Sequence, residues 1–437
     1  MAFTEKEART LCQQILSYSH APECELTLTS WRSSYTRFAA SEVTTAGSIE
    51  DLRIHITSRG RGKSGSSTVS DIAPEVLRRA VASSEELMEM APEDPEYVPG
   101  LPAQTYASTR AFHPETAKAG AVERRAGIKA ALELARKGPL QASGFFETGS
   151  SHTAIANKQG LFGFHPATSA EYSATMRTPD GTGSGWGGGG APRLGDVKPE
   201  ELAGRAAKKA QSSARPRDLA PGRYTVILEP QAVLELVAFL PGALAARNAD
   251  EGRSYFSKPG GGTRVGEKLF AESVTVRTDP FDARVPSAPW SGEHLPARAT
   301  TWIEHGVAKA LSISRYWAKK TNREPLPMAG NLIIEGGSGS VDDLVAGCDR
   351  GLLVTRFWYL RSVNPQTIQV TGLTRDGVWL VEKGKVVGPV NNFRFNESPA
   401  NLLRNVEAMS ASVSTGDAVV PAIRARDFNF SSRSDAV

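Results

Sequence analysis

The sequence has 437 residues, of which 40% are hydrophobic and 22% are charged, and its formal net charge is only +4. This length exceeds one ordinary hydrophobic core, so two or three domains are expected. The composition is typical of a folded globular protein and excludes a fibrous or wholly disordered chain. The densest basic cluster, RGRGK at 59–63, is interrupted by glycines and lacks aromatic neighbours, so nucleic-acid binding is not favoured.

The cysteines and the hydropathy indicate the compartment. Cys12, Cys24 and Cys348 show no CxxC spacing and are odd in number, which argues against a disulfide framework and favours a reducing compartment. The first residues contain no apolar signal-peptide core, and no uncharged apolar run approaches the ~20 residues that a membrane helix needs. We therefore predict a cytoplasmic protein without a membrane segment.

The N-terminal elements alternate between helical and strand patterns. Residues 5–17 predict an amphipathic helix, and residues 26–30 and 51–57 alternate with the period of strands. A second helix is expected to start after Asp71 as its cap and to end near residue 90. The proline-rich segment that follows, 91–104, is predicted to be a linker that closes an N-terminal α+β domain of residues 1–104.

The middle of the chain contains a glycine-rich segment. A helix is predicted over 114–137, and strands in meander order over 140–178. The segment GTGSGWGGGG (181–190) is not followed by the helix and the Lys–Ser/Thr pair of a phosphate-binding loop, so we interpret it as a mobile loop. A further helix at 198–213 completes a predicted middle α+β domain, residues 105–222, that contains this glycine-rich loop.

The remaining sequence is rich in strand patterns. Residues 224–229 predict a strand, and 231–240 an apolar helix that a proline ends. Strands are also predicted at 331–337 and 351–360, and a hairpin at 377–390 that turns at Lys383–Gly384. These elements form a strand-rich C-terminal domain, residues 223–437, and the whole chain is assigned to the α+β class.

Three C-terminal stretches occur in a recognisable order: YTVILEPQAV, NLIIEGGSGSVDDLVAGCDRGLLVTRFWYLRSVNPQT and GVWLVEKGKVVGPVNNFRFNESPANLLRNVEAMS. Together they resemble the TldD/TldE (PmbA) family, most clearly from 223 to 410. The resemblance implies a TldD-type subunit with HExxxH on the helix after the strand that matches YTVILEP, and a C-terminal cysteine. In such a motif two histidines hold zinc and the glutamate activates the metal-bound water.

This chain departs from the metal-binding pattern at each of those positions. None of its seven histidines is paired at the three-to-five-residue spacing of one helical face, and LEPQAVLELVAFLPGALAARN contains no histidine. The region of the family cysteine, MSASVSTGDAVVPAIRARDF, contains no cysteine. The resemblance therefore implies a TldE/PmbA-like subunit without catalytic residues, metal ligands or a cofactor of its own. Zinc is expected in a TldD-type partner, and unfolded peptides are the implied substrates.

Glu235 is the one acidic residue of the predicted helix that matches the HExxxH helix. It is a possible relic of the general base, although an isolated glutamate on an apolar helix more often forms a salt bridge or reaches solvent. His294 and His305 would lie about 16 Å apart on a continuous helix and could not share an ion. Each is more simply a surface or internally satisfied histidine.

The aromatic run Phe357, Trp358 and Tyr359, followed by Arg361, is the candidate contact surface. Strand alternation predicts Phe357 and Tyr359 on one face and Trp358 on the other. An exposed aromatic side chain here would serve a subunit interface or a peptide groove. The alternative is a strand that is buried on both faces.

Three functions remain open on the sequence alone. The first is the non-catalytic subunit of a heterodimeric zinc peptidase that removes leader peptides or degrades unfolded chains. The second is a non-proteolytic binding or assembly protein, possibly homodimeric. The third is an independent enzyme with a rebuilt site around Glu235 or His305.

Overall fold

A computed structural model describes residues 2–434 and shows a mixed α+β architecture. The first half contains six strands and the helices that cover them. These elements are α1 (Glu5–Ser17), β1 (Glu23–Ala39), β2 (Glu42–Gly60), β3 (Lys63–Val69), α2 (Pro74–Met90), α3 (Pro114–Ala117), α4 (Ala121–Lys137), β4 (Gln141–Asn157), β5 (Phe162–Arg177), β6 (Ser184–Ala191), a 3-10 turn (Leu194–Asp196) and α5 (Pro199–Ser212). The α+β class is confirmed.

One antiparallel sheet contains every strand of this half, in the order β3-β2-β1-β4-β5-β6. Because β1 pairs with β4 from Glu25 to Phe38, the sheet continues across residue 104. The segment 91–104 is irregular, but it is tied to the sheet through hydrogen bonds from the Tyr97 hydroxyl and the Gly100 N–H to Glu23. The predicted domain boundary at residue 104 therefore does not lie between two sheets. The division into domains 1–104 and 105–222 stays a prediction.

The glycine-rich segment differs from the expected mobile loop. Residues 184–191 form β6, which pairs with β5 from Ser184 to Ala191. A Cβ atom added to Gly185 or Gly187 would overlap the Ala206 or Leu202 carbonyl oxygen of α5. The glycines are therefore needed because α5 packs directly on the strand backbone, and the absence of side chains was mistaken for mobility.

We expect Gly187→Val to lower the free energy of unfolding by about 3 kcal/mol, because the new side chain forces β6 away from α5. Chemical denaturation of the purified chain measures this change. Gly204→Ala on α5 is the control. Its Cβ meets open space, and alanine should stabilise the helix by about 1 kcal/mol. Equal stability of Gly187→Val and the unmodified chain would contradict the packing argument.

The second half contains two further sheets. Its first elements are β7 (Gly222–Leu228), α6 (Pro230–Val237), α7 (Leu240–Ala243), α8 (Ala246–Asp250), β8 (Val276–Thr278), β9 (Thr300–Glu304), β10 (Val307–Ala308), α9 (Arg315–Thr321), β11 (Leu332–Ile334) and α10 (Val341–Ala346). They are followed by β12 (Arg350–Asn364), β13 (Gln369–Glu382), β14 (Lys385–Pro389), β15 (Asn392–Glu397), α11 (Pro399–Arg404), β16 (Val406–Met409), β17 (Val413–Ser414), β18 (Ala418–Val420) and β19 (Ile423–Ser434).

Five strands close on themselves in the order β12-β7-β19-β15-β13, because β12 also pairs with β13. Closure removes two of the free sheet edges. The core of this barrel includes a cluster of phenylalanines, in which the Phe357 ring lies 4.4 Å from that of Phe395 and 5.7 Å from that of Phe428. The smaller sheet has the order β10-β9-β8-β11-β18-β17 and packs on the same core.

Several local predictions need correction. The second helix begins after Ala73 as its N-cap, while Asp71 accepts the Ala73 N–H from outside the helix. The predicted 114–137 helix is split into α3 and α4.

The hairpin at Lys383–Gly384 is confirmed, with both residues at positive φ as a tight hairpin turn requires. Within residues 2–434, no helix has the length and apolar character needed to cross a membrane.

Candidate functional site

Helix α6 follows β7, in the position where the resemblance expects a zinc-binding helix. Glu235 lies on this helix and is largely buried, with 16% of its side chain exposed. Its carboxylate accepts hydrogen bonds from the Phe357 N–H of β12 and, at 2.9 Å, from the Gln231 amide. The Arg356 guanidinium lies 3.3 Å away. The carboxylate therefore joins α6 to β12, and its oxygens already have partners within the chain.

Burial raises the pKa of Glu235 to about 7, while the positive charge of Arg356 and the two hydrogen bonds oppose this shift. A carboxyl group with such a pKa could act as a general base near neutral pH. However, the amide of Phe357 and the guanidinium of Arg356 occupy its polar surroundings, and no histidine is present on α6. The geometry supports a structural role for Glu235.

Arg356 extends this arrangement toward the first half of the chain. Its guanidinium lies 4.8 Å from the centre of the Trp186 ring of β6 and 4.0 Å from the buried Asp376 carboxylate of β13. Asp376 in turn accepts a 2.6 Å hydrogen bond from the Ser184 hydroxyl of β6. This buried polar chain fixes the barrel against the edge of the first sheet.

A second buried ion pair lies nearby. The Lys209 ammonium of α5 is 2.5 Å from the Glu229 carboxylate, directly before α6, and it also donates to the Thr355 hydroxyl at 3.1 Å. Burial lowers the pKa of Lys209, and Glu229 counteracts that change. Sequence reasoning missed this pair and the Arg356 chain, since the partners are at least 20 residues apart and no local pattern joins them.

The aromatic segment is only partly as predicted. Phe357 is buried in the barrel core, with 1% of its surface exposed, so it is not available as a contact residue. Trp358 and Tyr359 are both exposed, at 43% and 57%, because a β-bulge interrupts the alternation and Tyr359 adopts a positive φ. Arg361 stacks on Tyr359 at 4.3 Å, and a role of these exposed residues in an interface stays a prediction.

The two candidate histidines are not brought together on a helix. Residues 300–304 form β9, and His305 is an exposed residue in the turn after it, with a positive φ. His294 lies in another turn, and burial lowers its pKa. Across residues 2–434, no group of three or more His, Cys, Asp or Glu side chains is arranged to hold a metal ion. The residues present do not fit the zinc site of the resemblance.

The fold matches solved structures over nearly the whole chain. TldE from Thermococcus kodakarensis superposes with a TM-score of 0.86 at 19% identity, covering 97% of this chain and 99% of that one. A Thermotoga maritima protein, described as a candidate modulator of a DNA gyrase, gives 0.85 at 18% identity over 97% and 100% of the two chains. At these identities the likeness establishes the fold alone.

Two family models match consecutive parts of the chain. The PmbA/TldA metallopeptidase central domain matches residues 113–214, and the C-terminal domain of the same family matches 221–432. The chain belongs to the PmbA/TldD metallopeptidase family.

Curated relatives agree with this assignment. The Metalloprotease PmbA homolog of Buchnera aphidicola is 22% identical over 225 residues, which are 50% of this chain and 48% of the relative. A Metalloprotease of Methanothermobacter thermautotrophicus is 25% identical over 237 residues, which are 50% of this chain and 49% of the relative. The matched region thus spans about half the length of these relatives.

Replacing Glu235 with Gln should flatten the pH dependence of stability. The folded chain holds the Glu235 proton more tightly than the unfolded chain, so the protonated carboxyl group contributes to the free energy of unfolding. This contribution is fully present below pH 4.5 and is lost as the pH rises through about 7. Glutamine does not titrate, so Glu235→Gln should gain up to about 3 kcal/mol relative to the unmodified chain between these pH values. Denaturation series at pH 5 and pH 8, with exposed Glu93→Gln as control, measure the difference; identical pH slopes would contradict it.

Proposed function

We propose that this chain is the metal-free subunit of a two-subunit zinc peptidase of its family. A TldD-type partner supplies HExxxH and the metal, and this chain helps to shape the site that receives unfolded peptides. Leader-peptide removal and degradation of unstructured chains are the activities that the assembly would perform.

One observation carries the proposal: helix α6, which the resemblance matches to the HExxxH helix, has no histidine and uses its carboxylate in contacts within the chain. Helix α6 still follows β7 and still bears a buried carboxylate. That carboxylate accepts a hydrogen bond from the Phe357 N–H and pairs with Arg356. Both contacts hold α6 against the barrel. A helix kept in place with such contacts is expected of a subunit that preserves the family fold while its partner performs the reaction.

An exposed surface on β12 is suited to partner contact. Only residues 351–354 of β12 pair with β7. Beyond residue 354, β12 pairs with β13 on one side, and among residues 2–434 no strand pairs with its other side. Trp358, Tyr359 and Val363 are exposed along this part, and Arg375 stacks on Trp358 at 4.2 Å. Aromatic and arginine side chains contribute most of the binding energy at interface centres.

Metal content and activity test the proposal directly. The purified chain alone should contain no stoichiometric zinc and should cleave no unfolded peptide, whereas its complex with a TldD-type protein should contain zinc and cleave. Substituting the histidines of the partner's HExxxH should abolish cleavage without dissociating the complex. Stoichiometric zinc together with peptidase activity in the isolated chain would refute the proposal.

Trp358→Ala should weaken association with the partner by roughly 2 kcal/mol, about thirty-fold in Kd, and should leave the Tm of the isolated chain nearly unchanged. The matched variants are Phe357→Ala, which should cost about 3–5 kcal/mol of folding stability because that ring is buried, and Phe281→Ala, an exposed phenylalanine elsewhere. Calorimetric titration and thermal melts separate the two effects. Unchanged affinity of Trp358→Ala would exclude this surface from the interface.

The oligomeric state of the isolated chain tests the homodimeric alternative. Sedimentation of the isolated chain should show a monomer if β12 contacts a TldD-type partner. A stable homodimer that Trp358→Ala dissociates would favour a binding or assembly protein over the peptidase subunit.

A further inference from the structure

A groove lies between α5 and the C-terminal half of the chain, with a volume of about 740 Å³. One wall is the face of α5 that carries Arg205, Lys208 and Lys209, and the opposite wall is formed by the start of α10 and residues 410–413. We call this feature the α5 groove. Its volume falls within the roughly 300–1,000 Å³ of typical ligand sites.

The charges of the α5 groove are not balanced. Lys209 is neutralised by Glu229 in their buried ion pair. Arg205 and Lys208 are three positions apart on α5, so they lie on the same side of the helix and both are exposed to the groove. Asp342 is the carboxylate on the facing wall, which leaves two positive charges against one negative charge. The imbalance favours an occupant that carries an acidic group.

Apolar side chains lie beside these charges. Leu353 and Trp379 line the groove, and the Trp379 ring is fixed because its N–H donates to the Ser212 carbonyl at 3.1 Å. Val386 and Val413 are each 46% exposed at the groove. Exposed apolar side chains next to a cavity indicate a surface that an apolar group covers.

The groove continues beyond Glu229 and Pro230 into a second cavity of about 320 Å³ along β6. Gly188 to Gly190 of β6 line one side of it, and Val413 and Ser414 of β17 line the other. Both strands stand at the end of their sheets, so each has a backbone edge that its sheet does not use. An extended peptide can hydrogen-bond to such an edge with little dependence on its sequence.

We infer that the α5 groove binds an extended peptide in which an acidic residue is adjacent to a large apolar residue. The acidic side chain faces Arg205 and Lys208, and the apolar side chain packs on Leu353 and the exposed Val386. Successive side chains of an extended peptide point in opposite directions, which allows neighbouring residues to reach these two surfaces. The inference rests on the proposed function and specifies its substrate class.

Fluorescence anisotropy with short labelled peptides tests this preference on the full chain. The probes are an unstructured peptide that contains Leu-Asp, the same peptide with Leu-Asn, and the same peptide with Ser-Asp. The Leu-Asp peptide should bind about ten-fold more tightly than either of the others. The double substitution Arg205→Glu and Lys208→Glu should abolish the advantage of Asp over Asn, while retaining the preference for Leu over Ser.

A matched control separates this effect from net charge. Arg79→Glu with Arg125→Glu changes the same number of charges on exposed positions of α2 and α4, so it should leave the Leu-Asp preference intact. Equal binding of all three peptides would overturn the inference. So would loss of the preference in the control variant, or displacement of the peptides by tripolyphosphate with no dependence on Leu, which would indicate a simple anion site.

Failure here is distinguishable from failure of the proposed function. A zinc-containing complex that cleaves peptides, built on a chain that shows no Leu-Asp preference, would remove the inference and leave the subunit role standing. If the chain keeps the Leu-Asp preference but joins no zinc-bearing partner, the peptide preference would stand and the subunit role would be removed.

Discussion

The Glu235 carboxylate joins α6 to β12, because it accepts the Phe357 N–H and faces the Arg356 guanidinium. The bond to the Phe357 amide lies just past Val354, the last residue of β12 that pairs with β7. It therefore supplies a partner for a backbone donor that the sheet leaves unused, and the Phe357 ring enters the barrel core. A buried amide without such a partner would cost free energy.

Arg356 transmits this arrangement to the first half of the chain. It lies between Glu235, Asp376 and the Trp186 ring, and Asp376 is bonded to Ser184 of β6. Together with the Lys209–Glu229 pair, these contacts hold α5 and β6 beside the barrel. The α5 groove exists because that placement leaves a space between α5 and α10. Its shape thus depends on these buried charges.

The sequence predicted the regular elements well where periodicity and turn residues agreed. Helix α1, the strand at 224–229 and the Lys383–Gly384 hairpin are found in the expected places, since their signals are local. The glycine-rich strand β6 was not predicted, because glycine has low strand propensity and only the close approach of α5 explains it. No local signal could show that the sheet continues past residue 104.

The site was less predictable than the fold. The resemblance drew attention to Glu235, and the aromatic run drew attention to residues 357–361. The bulge that exposes both Trp358 and Tyr359 breaks the strand alternation on which the second prediction rested. Arg356 was not recognised, since its partners Glu235, Asp376 and Trp186 come from three other elements. Such contacts between distant residues are decided by tertiary packing.

Taken together, helix α6 and its engaged carboxylate describe a chain that belongs to a metallopeptidase family and has no histidine on this helix. The exposed edge of β12 and the α5 groove are separate surfaces, one suited to a subunit and one to a peptide. A subunit that contributes substrate contacts needs both. The two surfaces therefore make the subunit role physically coherent.

The most direct test of this account is the titration of the Glu235 carboxyl carbon by ¹³C NMR, with Glu235→Gln used to assign its signal. A structural carboxylate held as described should titrate near pH 7 in the isolated chain, and added zinc should not move its chemical shift. Titration near its ordinary value of 4.5 would show that the carboxyl group is not held in the buried contacts described, and a zinc-dependent change in the signal would show that a metal ion binds beside it. Either result would contradict the account.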